Sequence, residues 1–501
     1  MAEFEVEPCD LTAVEARRRI GEGSLKPSDL LESCIARIEA VDHAINAVVT
    51  RDFDRARLAA READDAVSRG VPLALLHGLP LGVKDLDETA GLRTTFGSEL
   101  FAGNVPTRDG DAVADLKRAG AIVIGKTNTP EFGAGANTRN RVHGATGNPF
   151  DPTRSAAGSS GGSAAALAAG MVPLATGSDM GGSLRNPAAF CGVVGFRPTP
   201  GLVPSERSLR GWSPLSVLGP MARTVPDVCL MLAAMASDSG VDPLATTVWG
   251  RQVRGSEDFV RPPPVDLACL RVAFTPDFGF APTERHVREV FADKTALFRP
   301  VFARADDASP DCTGTDEAFE VLRAVGFLAG HHAKVLAHPD KVGPNVRANV
   351  AEGLRYSALD VARAEVAQTE IYRRWQGFFA DYDVIVTPTI TLSPRAWTEI
   401  YPAEIDGAPT RTYYHWLALA YAVSLVGHPA VSLPVGCDHA GLPFGLQIVG
   451  PRGGDARVLA VAAALETLLA ADPATARPTP DLAALAKAPP ISASPGFLDF
   501  G

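Results

Sequence analysis

GNPFDPTRSAAGSSGGSAAALAAG, residues 147–170, and GSDMGGSLRNPAAFCGVVGFRPT, residues 177–199, are the stretches from which the rest of the chain is read. The surrounding region, 141–220, is dense in Gly, Ser, Ala and Pro. It is neither a repeat nor a flexible linker, because apolar blocks such as MVPLATG and FCGVVGF run through it. Small residues interleaved with apolar ones indicate backbone packed closely inside a core. Two clusters stand out: Ala157-Gly-Ser-Ser-Gly-Gly-Ser163 ahead of an alanine-rich helical pattern, and Gly177-Ser-Asp-Met-Gly-Gly-Ser183.

Each cluster admits several chemistries. Glycines before a helix can turn backbone N–H groups toward a phosphate, but the lysine of G-x-x-x-x-G-K-[ST] is missing. Gly158-Ser-Ser-Gly-Gly162 also matches G-x-S-x-G centred on Ser160, with His428 downstream as a triad histidine. That motif needs a strand leading into the turn, whereas the preceding NPFDPTRS carries two prolines and no apolar run. Around Ser183 the consecutive glycines allow the N–H groups of Met180, Gly181, Gly182 and Ser183 to converge as an oxyanion hole. The plain alternative is a tight turn between strand and helix. Lys84 ends the apolar run LPLGVK, where a lysine is costly unless it reaches water, is stabilised, or is neutral.

Working outward, LPLGVK and AIVIGKT alternate with helical patterns such as DAVADLKRAG, the rhythm of an α/β core. Residues 10–70 read as three helices, Leu11 to Ile20, Ser28 to Val41 and Phe53 to Ser68, with Asp10 and Ser28 as N-caps and Gly21, Gly23 and Gly70 as stops. Residues 240–265 read as a loop or boundary and 285–380 as largely helical. DVIVTPTI, PAVSLPVG and GLQIVGP return as strands, and VLAVAAALETLLA closes as a helix before a Pro/Ala-rich tail. The expected division is a helical lead-in over 1–70, a catalytic domain over 71–465 and a tail over 466–501. Within the catalytic domain, 71–240 and 380–465 form the core and about 285–420 shapes the substrate pocket.

Composition narrows the function. With 46% hydrophobic and 21% charged residues the chain is that of a globular protein. Asp and Glu total 58 against 47 Lys and Arg, a net charge of −11 that disfavours nucleic acid and anionic membranes as partners. No apolar stretch is long enough to span a bilayer, and the acidic MAEFEVEPCD lacks the features of a secretory signal. Seven scattered cysteines without a C-x-x-C pair suit free thiols in the cytoplasm. The ten histidines show no metal-binding spacing, so no metal is expected.

Taken together, GVKD around Lys84, GKTNTPEF (125–132), the two blocks quoted above, GPMARTVPD (219–227), VGHPAVSLPVG and GLPFGLQIVG resemble the amidase signature family, in family order, across most of residues 70–465. The resemblance implies a single large α/β domain with a central mixed β-sheet covered by helices on both faces. It implies a Ser-Ser-Lys triad: Ser183 as nucleophile, Ser159 as the bridging serine, preceded by a cis peptide bond, and Lys84 as base. It places the oxyanion hole on the backbone of 180–183. Two departures, Ala157-Gly158 for Gly-Gly and Gly177-Ser178-Asp179 for Gly-Thr-Asp, replace small residues with small ones and leave every reactive group present.

The activity implied is hydrolysis of a carboxamide, with aryl or alkyl amides, carbamates and esters as substrate classes, through an acyl-enzyme and without a cofactor. An ordinary lysine, with pKa near 10.4, is charged at neutral pH; a drop to about 7.5, roughly 4 kcal/mol, would let Lys84 accept a proton. Asp179 and Arg185 are expected to pair and hold the nucleophile loop, with Ser163 bonding nearby. The alternative is the glutaminase A subunit of a tRNA-dependent amidotransferase, against which the acidity and the lack of a tyrosine-rich stretch in 285–415 argue. A non-enzymatic scaffold is a third reading. The partner expected is a small-molecule amide, and the N-terminal helices are a candidate surface for a homodimer. Phe327, Tyr356, Tyr413, Tyr414 and Trp416 either line the acyl pocket or pack the core.

Overall fold

The computed structural model describes residues 6–205, 208–245, 247–248, 251–252 and 256–498. The boundary expected at 240–265 and the end of the tail therefore lie partly outside the described residues. An eleven-stranded mixed sheet runs through the protein. In chain order its strands are β1 (Val48–Arg51), β2 (Pro80–Lys84), β3 (Ile122–Thr127), β4 (Leu174–Asp179), β5 (Val194–Arg197), β6 (Val217–Ala222), β7 (Arg271–Phe274), β8 (Arg304–Asp307), β9 (Val384–Pro388), β10 (Ala430–Cys437) and β11 (Pro443–Val449). Across the sheet they lie as β1-β3-β2-β4-β6-β5-β10-β11-β9-β7-β8. β2 is parallel to β3 and β4, and β7 is parallel to β8 and β9. The remaining pairings are antiparallel.

Alternation along the strands assigns the two faces. In β9, Val384 and Val386 enter one core and Ile385 the other, as the two-residue period of a strand requires. The first core takes the helices Pro27–Ile45, Gly161–Ala168, Val225–Met235 and Asp455–Leu469. The second takes Thr315–Ala337, Ala358–Phe378 and Ala418–Leu425. The sheet is thus covered by helices on both faces. The helix Gly161–Ala168 is buried on every side, which its Gly, Ser and Ala residues permit because they bring backbone close to backbone.

The N-terminal region differs from the sequence reading in detail. The third helix spans Phe53–Ser68 as expected. The first is Ala13–Gly21, capped by the Thr12 side chain accepting from Glu15 N–H; Asp10 instead pairs with Arg37 at 2.9 Å. The second is Pro27–Ile45, with proline at its first position, and the Ser28 N–H donates to Asp64 Oδ1 at 3.1 Å. Between the second and third helices β1 joins the sheet, so this region is not purely helical. In the tail the helix Leu482–Lys487 packs on Pro27–Ile45, burying Leu485 and Ile491.

Candidate active site

Because β2 and β4 run parallel, their carboxyl ends lie side by side, the position at which open α/β sheets place ligands. Lys84 is the last residue of β2. Its N–H donates to Thr176 Oγ1 at 2.9 Å, and the Thr176 hydroxyl donates to Asp87 Oδ2 at 2.7 Å, locking the two strand ends together. The Lys84 side chain is fully buried, and its Nζ lies 2.8 Å from Ser159 Oγ, 2.8 Å from Ser160 Oγ and 3.0 Å from Ser178 Oγ. Ser159 and Ser160 come from the loop ahead of the helix Gly161–Ala168, where the Gly158–Ser159 peptide bond is cis. Burial pulls the Lys84 ammonium down to a pKa of about 7, against the opposing pull of Asp87 and Asp179.

Ser183 lies on the loop between β4 and the helix Arg185–Cys191. Together with Ser159, Ser178, Met180 and Gly181 it lines a cavity of about 120 Å³. Asp179 anchors that loop. Its carboxylate accepts from Arg185 Nη2 (2.8 Å) and Nε (3.0 Å) and lies 3.3 Å from Arg197 Nη1. Arg185 reaches on to Ser424 Oγ at 2.9 Å and to Gln447 Oε1. Burial alone would raise the Asp179 carboxyl, but Arg185 and Arg197 outweigh it and hold the group well below the usual carboxylate range.

The Gly182 N–H, expected among the oxyanion donors, donates instead to Asp179 Oδ1 at 2.9 Å. The Leu184 N–H donates to Oδ2 at 3.2 Å. Gly182 has φ +103°, and a Cβ there would stand 2.4 Å from Ala420 Cβ and 2.5 Å from the Asn186 amide, so only glycine fits. Ser163, expected to bond near the nucleophile loop, makes its hydrogen bonds to Thr127 Oγ1 at 2.7 Å and, as donor, to the backbone Thr176 O at 2.8 Å, tying its helix to β3 and β4.

The other readings of the serine clusters do not match the geometry. A phosphate cradle would need free amides, yet Gly161 N–H donates to Thr138 Oγ1 and Gly162 N–H to Asn128 O. A Ser160–His428 couple would need a hydrogen bond, yet Ser160 Oγ faces Lys84. Both ring nitrogens of His428 are buried without a partner, among Tyr372, Trp375 and Phe379.

The cavity walls combine apolar side chains, Leu86, Phe132, Phe319, Phe327 and Leu417, with the hydroxyls of Ser159, Ser178, Ser183 and Ser216; Arg323 is the charged member, and there is no carboxylate among the described lining residues. Of the five aromatics singled out in the sequence, Phe327 lines this cavity, while Tyr413 and Tyr414 stand against Arg323. Trp416 is buried, and Tyr356 donates to Glu352. Sequence reasoning missed Ser178, Phe132, Phe319 and Arg323, and it weighed Ser160 only as the centre of a G-x-S-x-G motif, not as a neighbour of Lys84. Ser160 and Ser178 lay inside quoted motifs, and the polar neighbours a buried lysine needs were the available signal.

The amidase family model matches residues 29–459. The chain is 34% identical to an acylamidase of Rhodococcus erythropolis, over 91% of this chain and 95% of that protein. It is 36% identical to the A subunit of the glutamyl-tRNA(Gln) amidotransferase of Thermus thermophilus, over 91% and 97% respectively. Among solved structures it is similar to a bacterial aryl acylamidase of the amidase signature family, with a TM-score of 0.84 at 26% identity, covering 92% of this chain and 96% of that one. The chain belongs to the amidase signature family, and it is a hydrolase acting on amide carbon–nitrogen bonds.

Proposed function

We propose that the protein hydrolyses small acyl amides by itself, through an acyl-enzyme on Ser183, with Ser159 and Lys84 carrying the proton. The observation that carries this reading is the fully buried Lys84 amine, with a pKa near 7, held at 2.8 Å from Ser159 Oγ on the edge of the cavity that Ser183 also lines. A neutral amine has two N–H groups and one lone pair. Surrounded by three hydroxyls, it donates to Ser160 and Ser178 and accepts from Ser159.

Ser183 Oγ then attacks the substrate carbonyl while its proton passes to Ser159 and the Ser159 proton passes to Lys84. The oxyanion accepts hydrogen bonds from the Met180, Gly181 and Ser183 amides, Gly182 being committed to Asp179. Returning the proton along the same path to the nitrogen expels the amine and leaves the acyl ester. Water, deprotonated by the same relay, releases the carboxylic acid. Phe132, Phe319, Phe327 and Leu417 on the wall suit an alkyl or aryl acyl chain, and glutamine is disfavoured because its ammonium would find no carboxylate on the described walls. The test is a hydrolysis screen over primary amides, anilides, carbamates, esters and glutamine, with fluorophosphonate labelling. Amine release without a partner, abolished in Ser183→Ala together with the label, supports the reading. Full activity in that variant, or strict glutamine dependence with a co-purifying partner, overturns it.

A further inference from the structure

Arg323 projects from the helix Thr315–Ala337 into the wall of the catalytic cavity and is 6% exposed. Its guanidinium is caged by aromatic faces, with Cζ 4.6 Å from the Phe327 ring centre, 5.0 Å from Tyr413 and 4.3 Å from Tyr414. Its hydrogen-bond acceptors are neutral: Nη1 donates to Asn349 Oδ1 and Nη2 to the Tyr413 hydroxyl. Among the described residues no carboxylate comes within 4.0 Å of it. The acids packed nearby are engaged elsewhere: Glu352 accepts from Tyr414 at 3.0 Å and Tyr356 at 3.2 Å, and Glu320 lies 3.4 Å from Arg411.

Removing a guanidinium from water is costly unless an anion or several acceptors replace the water. Ring faces offset part of that cost. Arg323 carries five N–H groups, and its two neutral acceptors leave donors without a protein anion on the residue that borders the substrate space. Phe132, Phe319 and Leu417 line the same cavity as this cation and the serines. Building on the amidase reading, we infer that Arg323 is a specificity residue for an acyl group bearing a carboxylate at the end remote from the scissile amide, as in the monoamide of a dicarboxylic acid. Water and the monoamide give the dicarboxylate and the amine, with Arg323 holding the spectator carboxylate in a charge-assisted pair.

The experiment compares, in the wild-type enzyme, a series of ω-carboxylate monoamides with terminal-isopropyl amides of matched chain length. The carboxylate substrates are expected to be favoured in kcat/KM by about tenfold or more. Arg323→Met is expected to erase that preference, with a rise in KM on the carboxylate series about tenfold or more larger than on the neutral amides, and Arg323→Lys is expected to restore part of it. Preference of the wild type for the neutral amides, or equal losses on both series in Arg323→Met, overturns the inference. The wild-type comparison decides even if the variant does not fold. Ser183-dependent hydrolysis of neutral amides alone would sink the Arg323 assignment and leave the amidase reading intact. No hydrolysis in either series, with Ser183 unlabelled, would sink the amidase reading instead.

Discussion

Arg185 grips Asp179 through two nearly parallel hydrogen bonds, Nη2 to Oδ1 at 2.8 Å and Nε to Oδ2 at 3.0 Å, with both side chains fully buried. Asp179 in turn accepts from Gly182 and Leu184, on either side of Ser183. Replacing Arg185 with methionine leaves this carboxylate with Arg197 as its one guanidinium partner. A loss of about 3–5 kcal/mol in urea unfolding is expected, together with a collapse of kcat. Arg185→Lys is expected to rescue little, because an ammonium cannot form the fork.

In the proposed mechanism Lys84 sets the acid limb of catalysis. With its pKa near 7, kcat/KM is expected to rise through neutral pH and level off above it, as the amine loses its proton and becomes a base. Lys84→Met is expected to abolish that limb and lower kcat by at least about a thousandfold.

The same group shapes stability. Its folded pKa, about 7, lies below the ordinary lysine value of 10.5, so between these pH values the unfolded chain binds more protons and wild-type stability rises with pH. From this group the slope is about 1.4 kcal/mol per pH unit. Denaturant titrations of Lys84→Met should lack that rise.

Ser178→Ala removes one of three hydroxyls from around the Lys84 amine. Hydrogen bonds to the charged form are the stronger ones, so the ammonium loses more than the amine does. The acid limb of the pH–rate profile is expected to move to lower pH while kcat falls by about tenfold. A limb moving to higher pH would contradict the arrangement.

His428 gives an independent acid response. Burial first, with Arg452 and Arg197 adding to it, pushes its imidazole down to about 3 from 6.5, and neither ring nitrogen has a hydrogen-bond partner. Below pH 6.5 the unfolded histidine takes up a proton that the folded one refuses. Stability therefore drains away by about 1.4 kcal/mol per pH unit toward pH 3. His428→Phe is expected to flatten that decline in thermal unfolding between these pH values and to leave kcat unchanged.

Local pattern was enough wherever the deciding forces are local. The helix Phe53–Ser68 and the apolar runs of β2 and β3 fell where periodicity put them. It was not enough where a residue had a distant competitor. Asp10 looks as good a cap as Thr12, but Arg37 takes its carboxylate and Thr12 caps instead. Gly182 looked as free to donate as its neighbours until Asp179 folded back on it.

By itself the sequence determined the family and which lysine and serines stand in the motifs, since residue identity and order are covalent facts. Tertiary structure alone decided that Ser160 and Ser178 join Ser159 around one amine, across 76, 94 and 75 residues of chain respectively. It also decided that Arg323 meets the same cavity. A lysine loses its proton near neutrality only when segments remote in sequence exclude water from it, and no local pattern encodes that exclusion.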